Sequence, residues 1–310
     1  MKVLIVCSNR KYATEGVAPF IYDQVLSIRK MGIDVDYFLI KDKGIIGYFK
    51  NINKLRKKIM QYKPDIIHAH YGLAGLFANF QTKIPVVTTY HGSDINVKKN
   101  LRLSKICIRK SKWNIFVSEK LVTLSNSKKK YSVIPCGVDF ELFKVLDKNE
   151  CRNKLGLIFN EKKKYVLFSK MFYDPVKNYP LAKESIEILE NAELIEFIGY
   201  TREEACLLMN ACDAVILTSF MEGSPQFIKE AMACNCPIVS VDVGDVKNVI
   251  KDANCCFITN YDKNDISACL KNIFINCNRT NGREMVKDFN NNLIAEKIIN
   301  IYNTVLGNRK

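Results

Sequence analysis

Two α/β domains, each a parallel sheet crossed by helices, are what the sequence predicts, on three observations. Short apolar, β-rich runs alternate with stretches of helical period from one end of the chain to the other. The alternation restarts after a charged segment near residue 150. A chain of 310 residues, 48% of them hydrophobic, holds enough apolar material for two cores. The first half should supply strands at 3–7, 35–40, 66–70, 86–90, 114–117 and 131–134, and helices at 19–31 (ended by Gly32), 48–62, 72–80, 101–111 and 119–124. The charged segment 147–164 contains Gly156 and the run Glu161-Lys162-Lys163-Lys164, and places the boundary so that the domains are 1–150 and 151–310. Beyond it the expected strands are 165–169, 194–198, 214–218, 237–241 and 256–258. Helices are expected at 181–189, 202–211, 225–234, 246–250 and 266–275, and a last amphipathic helix at 293–306 is a candidate to pack back on the first domain.

Composition narrows the function classes. No apolar stretch approaches the roughly 18 to 20 residues that span a bilayer, and the opening apolar run is soon interrupted by Arg10 and Lys11, so the chain is expected in the cytoplasm. The twelve cysteines are then expected to be mostly reduced, acting as small apolar residues. Cys234 with Cys236, and Cys255 with Cys256, lack the second pair or the histidine that a zinc site needs. Residues 1–150 hold 27 Lys and Arg against 12 Asp and Glu, whereas residues 151–310 hold 20 of each. A basic half suits a polyanion, either nucleic acid or an anionic membrane surface, and is equally compatible with solvated lysine.

The sharpest segment is 219–239, SFMEGSPQFIKEAMACNCPIV. Ser224 is expected to cap a helix with Pro225 at its first position, which aims free amides and the positive dipole end at a phosphate. Glu230, six residues beyond that cap or about 9 Å along the axis, suits a ribose diol. Asn235 is expected to end the helix in the left-handed conformation. On the first half the histidines His68, His70 and His91 fall at strand ends, where open α/β sheets place ligands. His68 is read as structural, its side chain directed opposite to that of His70. Asp34-Val35-Asp36 matches a metal-holding string but precedes an apolar strand, and is read as a strand entrance.

Segment 219–239 resembles the signature of the retaining glycosyltransferases of family 4, whose GT-B fold consists of two facing Rossmann-like domains with a cleft between them. Further pieces follow in the family's order: DIIHAHYG (65–72), TTYHGSD (88–94), VIPCGVD (133–139) and DPVKNYPLA (174–182). The resemblance implies transfer of a sugar from a nucleoside-diphosphate donor to a glycan or lipid-linked saccharide, in cell-surface polysaccharide synthesis, with no metal or other cofactor. It implies that Gly223, Ser224, Pro225, Gln226 and Glu230 hold the donor together with Gly16, the remaining glycine of a loop that often carries two. His91, Lys170, Lys177 and Glu222 are the implied catalytic set, with Ser169-Lys170 standing where Gly-Arg is common. His70 and Asp94 would meet the acceptor, and an anionic membrane surface is a candidate partner. The rival readings are a nucleotide-sugar epimerase of the same fold and a basic nucleic-acid-binding protein. The second lacks a helix-turn-helix, zinc-finger or aromatic RNA-binding signature, so no nucleic acid is expected.

Overall fold

The computed structural model describes residues 1–10, 13–41, 44–156 and 159–307, with only the backbone of Ile45. The chain forms two compact units, Met1–Gly137 with Asn291–Lys310, and Val138–Asn290.

The first unit runs β1 (Lys2–Ser8), α1 (Pro19–Lys30), β2 (Asp34–Ile40), α2 (Gly44–Lys50), α3 (Ile52–Tyr62), β3 (Ile66–His70), α4 (Gly72–Ala78), β4 (Val86–Tyr90), α5 (Ser93–Asn96), α6 (Lys98–Lys110), β5 (Trp113–Phe116), α7 (Glu119–Ser125) and β6 (Tyr131–Val133). Its strands form one parallel sheet in the order β2-β1-β3-β4-β5-β6. Alternation along β1 builds a core on each face. Val3 and Ile5 pack with Ile21, Val25 and Ile28 of α1, while Leu4 and Val6 pack with Leu55 and Phe77. The expected helix 48–62 is instead two, because buried Asn51 turns its amide back onto the carbonyl of Gly47 at 2.8 Å and breaks the run.

The second unit runs α8 (Lys148–Leu155), β7 (Lys164–Phe168), α9 (Tyr179–Glu187), β8 (Ala192–Ile195), α10 (Arg202–Ala211), β9 (Ala214–Leu217), α11 (Gln226–Ala233), β10 (Ile238–Val241), α12 (Val246–Val249), β11 (Cys256–Thr259), α13 (Lys263–Asn276) and α14 (Gly282–Met285). Its parallel sheet is ordered β11-β10-β9-β7-β8. Val166 and Phe168 face α9 and α13 residues such as Ala182 and Leu270, and Tyr165 and Leu167 face Leu208, Ile228 and Met232. The last helix, α15 (Asn291–Gly307), returns to the first unit, where Ile298 and Tyr302 join the α1 core.

The division between units falls at Gly137, earlier than 150, for a packing reason. Phe143 is buried in the second unit's core, and the Arg283 guanidinium donates to the carbonyls of Phe140, Phe143 and Ala233 at 2.6–2.9 Å. Part of the expected linker is therefore ordered as α8, capped by the Asp147 carboxylate on the Glu150 amide, while residues 157 and 158 lie outside the described ones. Cys255, just before β11, and Cys277, just after α13, form a disulfide, while the ten other cysteines are free thiols. Asp34 and Asp36 do lie in β2, Asp36 paired with Lys58 and Asp34 accepting from the Tyr62 hydroxyl. No described helix is long and apolar enough to cross a membrane.

Gly75 is one of the places where α4 presses closely on its neighbours. A Cβ there would lie 2.5 Å from Thr88 Oγ1 and 2.6 Å from Cys107 Sγ, both buried. Gly75→Ala should lower the thermal midpoint, because overpacking of about 1–3 kcal/mol exceeds the helix-propensity gain of about 1 kcal/mol. A raised midpoint in calorimetry would contradict this packing.

Candidate functional site

In the second unit the chain leaves β7 for β8 on one side and returns to β9 on the other, so the loops after β7 and β9 diverge at a topological switch point. Lys177 sits in the 3-10 turn Pro175–Lys177 after β7, and Glu222 in the loop after β9. They meet there, Lys177 Nζ to Glu222 Oε1 at 2.5 Å, with about one-sixth of each side chain exposed. The loops are joined by further bonds. Thr218 Oγ1 donates to the carbonyls of Lys177 and Asn178 at 2.8 and 3.0 Å, and the Phe220 amide to the carbonyl of Val176 at 2.9 Å. Lys170 lies at the mouth of the same turn, 2.7 Å from Asp174 Oδ2, and holds that carboxyl below its ordinary range. The other Asp174 oxygen accepts the Val176 amide and starts the turn.

The α11 terminus differs from expectation. Pro225 is the N-cap and Gln226 the first helical residue, with no side-chain cap. The Ser224 hydroxyl is committed elsewhere, donating to Asp245 Oδ2 at 2.6 Å and accepting from Lys229 Nζ at 3.0 Å. Lys229 is wholly buried, its ammonium also 5.6 Å from the Phe289 ring centre. Burial raises the Asp245 carboxyl, and Lys229 opposes that shift. Sequence reasoning missed Lys229 and Asp245, and also Tyr261, whose hydroxyl donates to the Ser219 carbonyl at 2.8 Å. Gly223 and Pro225 are buried, and Glu222, Ser224, Gln226 and Glu230 are half-buried. Asn235 does adopt the left-handed conformation, at φ 54°.

In the first unit the switch point lies between β1 and β3, the chain passing from β1 to β2 on one side and to β3 on the other. A cavity of about 230 Å³ opens there, lined by Ser8, Arg10, Tyr48, Tyr71, Asp94 and Asn100 among others. Tyr71 has φ 74° and ψ 144°, a strained conformation for a bulky residue, and its ring lies 4.7 Å from that of His91. Gly16 has φ 74° and gives its carbonyl to the Arg10 amide at 2.7 Å, and a Cβ there would fall 2.6 Å from Asn9 Oδ1. It shapes the loop after β1.

His68 and His70 point to the same side of β3, not opposite sides, since residues two apart share a strand face; their rings stack at 4.5 Å. His68 is anchored to Tyr302 Oη at 2.6 Å and Thr89 Oγ1 at 2.7 Å, and burial lowers its pKa to about 3. His70 Nδ1 lies 3.0 Å from His91 Nε2, and His91 Nδ1 lies 3.7 Å from Cys136 Sγ. The buried Asp94 carboxylate accepts the amides of Gly72, His91 and Gly92 at 2.9–3.1 Å, tying the loops after β3 and β4 together.

Burial lifts the Asp94 carboxyl to about 6 despite those amides. A carboxyl raised in the folded state favours folding below its unfolded pKa and loses that contribution as pH rises through the folded value. Stability should therefore fall by about 3 kcal/mol between roughly pH 4 and 6 from this group alone. Carbon-detected NMR of the Asp94 carboxyl checks it, and a midpoint at 4 or below would contradict the dominance of burial.

Comparison with known proteins gives two family matches in succession, Glycosyltransferase Family 4 over residues 3–142 and Glycosyl transferases group 1 over residues 176–293. A putative teichuronic acid biosynthesis glycosyltransferase of Bacillus subtilis is 27% identical over 217 residues, 60% of this chain and 55% of that protein. The chain thus spans about half the length of that relative. A UDP-Gal:α-D-GlcNAc-diphosphoundecaprenol α-1,3-galactosyltransferase of Escherichia coli is 23% identical over 263 residues, 69% of this chain and 67% of that one. Among solved structures, sucrose-phosphate synthase from Thermosynechococcus elongatus superposes with a TM-score of 0.84 at 18% identity, covering 99% of each chain. At that identity the likeness concerns the fold.

Proposed function

The chain belongs to the GT-B glycosyltransferases of family 4 and group 1, and we propose that it moves a sugar, with retention, from a nucleoside-diphosphate donor to a lipid-linked saccharide. The observation that carries this reading is the Lys177–Glu222 pair across the second unit's switch point, beside the N-terminus of α11. A bound diphosphate competes for the Lys177 ammonium and releases Glu222 to accept a hydrogen bond from a sugar hydroxyl. Lys170, Lys177 and the first amides of α11 stabilise the negative charge that grows on the leaving diphosphate as its bond to the anomeric carbon breaks. Glu230 accepts from the ribose diol. The acceptor oxygen attacks from the same face and passes its proton to the departing phosphate, which preserves the anomeric configuration and requires no metal. The E. coli relative's name supports a uridine donor and a lipid diphosphate acceptor. The cavity at Arg10 and Tyr71 offers that acceptor a cation and an aromatic wall.

Glu230→Gln should weaken UDP binding by about 1.5–3 kcal/mol, the range for hydrogen bonds to charged groups, without changing the thermal midpoint. Lys177→Ala should lower turnover more than free-sugar binding, since the charge it meets is largest in the transition state. Calorimetric titration and steady-state assays, each repeated in EDTA, check the set. Unchanged constants in both variants, or loss of turnover in EDTA restored by manganese, would refute the donor site.

Attachment to an anionic leaflet is part of the proposal. Candidate clusters are Lys50, Lys54, Arg56, Lys57 and Lys58 around α3, of which Lys58 is paired with Asp36, then Lys98, Lys99, Arg102, Lys105, Arg109 and Lys110 on α6, and Lys128, Lys129 and Lys130. On α6, Ile108 is core and Ile106 is exposed. Beside the first cluster, Ile46 and Phe49 are exposed, with Phe49 packed 5.3 Å from Phe80. At about 1 kcal/mol per basic residue, a few acting together hold the protein reversibly. Sedimentation should show binding to anionic vesicles that is lost at 0.5 M salt. Equal binding to neutral vesicles would contradict electrostatic docking.

A further inference from the structure

We propose that His70 is a positioning residue that fixes His91 as the Nδ1–H tautomer, so that His91 meets substrate as a hydrogen-bond donor and not as a base. The functional part rests on the sugar transfer proposed above and on His91, named above in the catalytic set that the resemblance implies, meeting the transferred sugar; the tautomer does not.

The bond between His70 Nδ1 and His91 Nε2, at 3.0 Å, holds one proton, and the surroundings decide which ring carries it. His70 is wholly buried, its ring between those of His68 at 4.5 Å and His91 at 5.2 Å. Its other nitrogen, Nε2, is buried without a hydrogen-bond partner. Had His91 donated, neutral His70 would carry its proton on Nε2, leaving a buried N–H with nothing to accept it. Orphaned buried donors are rarer than under-satisfied acceptors. With the proton on Nδ1, Nε2 is a bare lone pair and the contact to His91 is a proper donor–acceptor bond. A charged His70 would again leave an N–H on Nε2 with nothing to accept it, and burial, with the neighbouring imidazoles, drives its pKa well below the ordinary range.

His70 therefore donates, His91 Nε2 accepts, and the proton of neutral His91 resides on Nδ1. That N–H faces Cys136 Sγ at 3.7 Å, a weak acceptor that a sugar oxygen readily replaces. His68 takes no part in the exchange. Both its nitrogens are engaged by Tyr302 and Thr89, which makes it a fixed wedge supporting the His70 ring. With His91 committed as a donor, removal of the acceptor proton falls to another group, such as the departing phosphate.

Long-range ¹H–¹⁵N NMR of the full chain, labelled at histidine, tests this. His91 should show a protonated Nδ1 and an unprotonated Nε2. In His70→Leu that preference should be lost and kcat should fall at least tenfold, with the donor KM changed less than threefold. His70→Asn, whose amide N–H takes the place of Nδ1–H, should restore both. A wild-type His91 protonated at Nε2, or an unchanged His91 spectrum in His70→Leu, overturns the proposal. The wild-type spectrum decides even if a variant fails to fold. Absence of sugar transfer by a wild-type protein with the expected tautomer would count against the proposed function and leave the positioning of His91 standing.

Discussion

The ion pair between Lys177 and Glu222 is the constraint on which the second unit's site depends. It joins the loops that leave the paired strands β7 and β9, and it does so at the one place in the sheet where the crossovers part. Removing one partner of a largely buried pair costs several kcal/mol, more than an exposed pair contributes, so each side chain has reason to stay until a competing anion arrives. A diphosphate is such an anion. The Thr218 and Phe220 bonds hold the backbone of both loops while the side chains exchange partners.

In the same unit, buried Lys229 and half-buried Ser224 and Asp245 form a relay that attaches the α11 terminus to the loop after β10. The first unit follows the same plan with a different charge. Asp94 gathers three amides from the loops after β3 and β4, and burial keeps His68 and His70 at the end of β3 neutral. Each unit thus places a buried charge under its loops and leaves more exposed groups, Arg10 in one and Lys170 in the other, toward the mouth.

Every expected strand is present with ends shifted by up to three residues, because parallel strands buried on both faces must be continuously apolar and that pattern survives in one dimension. What failed was local chemistry decided by tertiary partners. Ser224 is a good cap by type, but Asp245, twenty-one residues away, claims its hydroxyl. Asn51 splits a helix through a bond that composition does not announce. Lys229 reads as a surface lysine until the fold buries it. The orientation of His68 was legible from the period of two and was misjudged. Lys177, Glu222 and His91 were reached through family resemblance, and spacing alone would not have paired Lys177 with Glu222 across 45 residues.

The central claim is that a nucleoside diphosphate docks on the loops that close the second unit's switch point. Hydrogen exchange of the full chain with and without about millimolar UDP tests it most directly. The account predicts slowed exchange in 169–178, 218–230 and 242–246. Protection confined to the loops after β1, β3 and β4, or none anywhere, would contradict it.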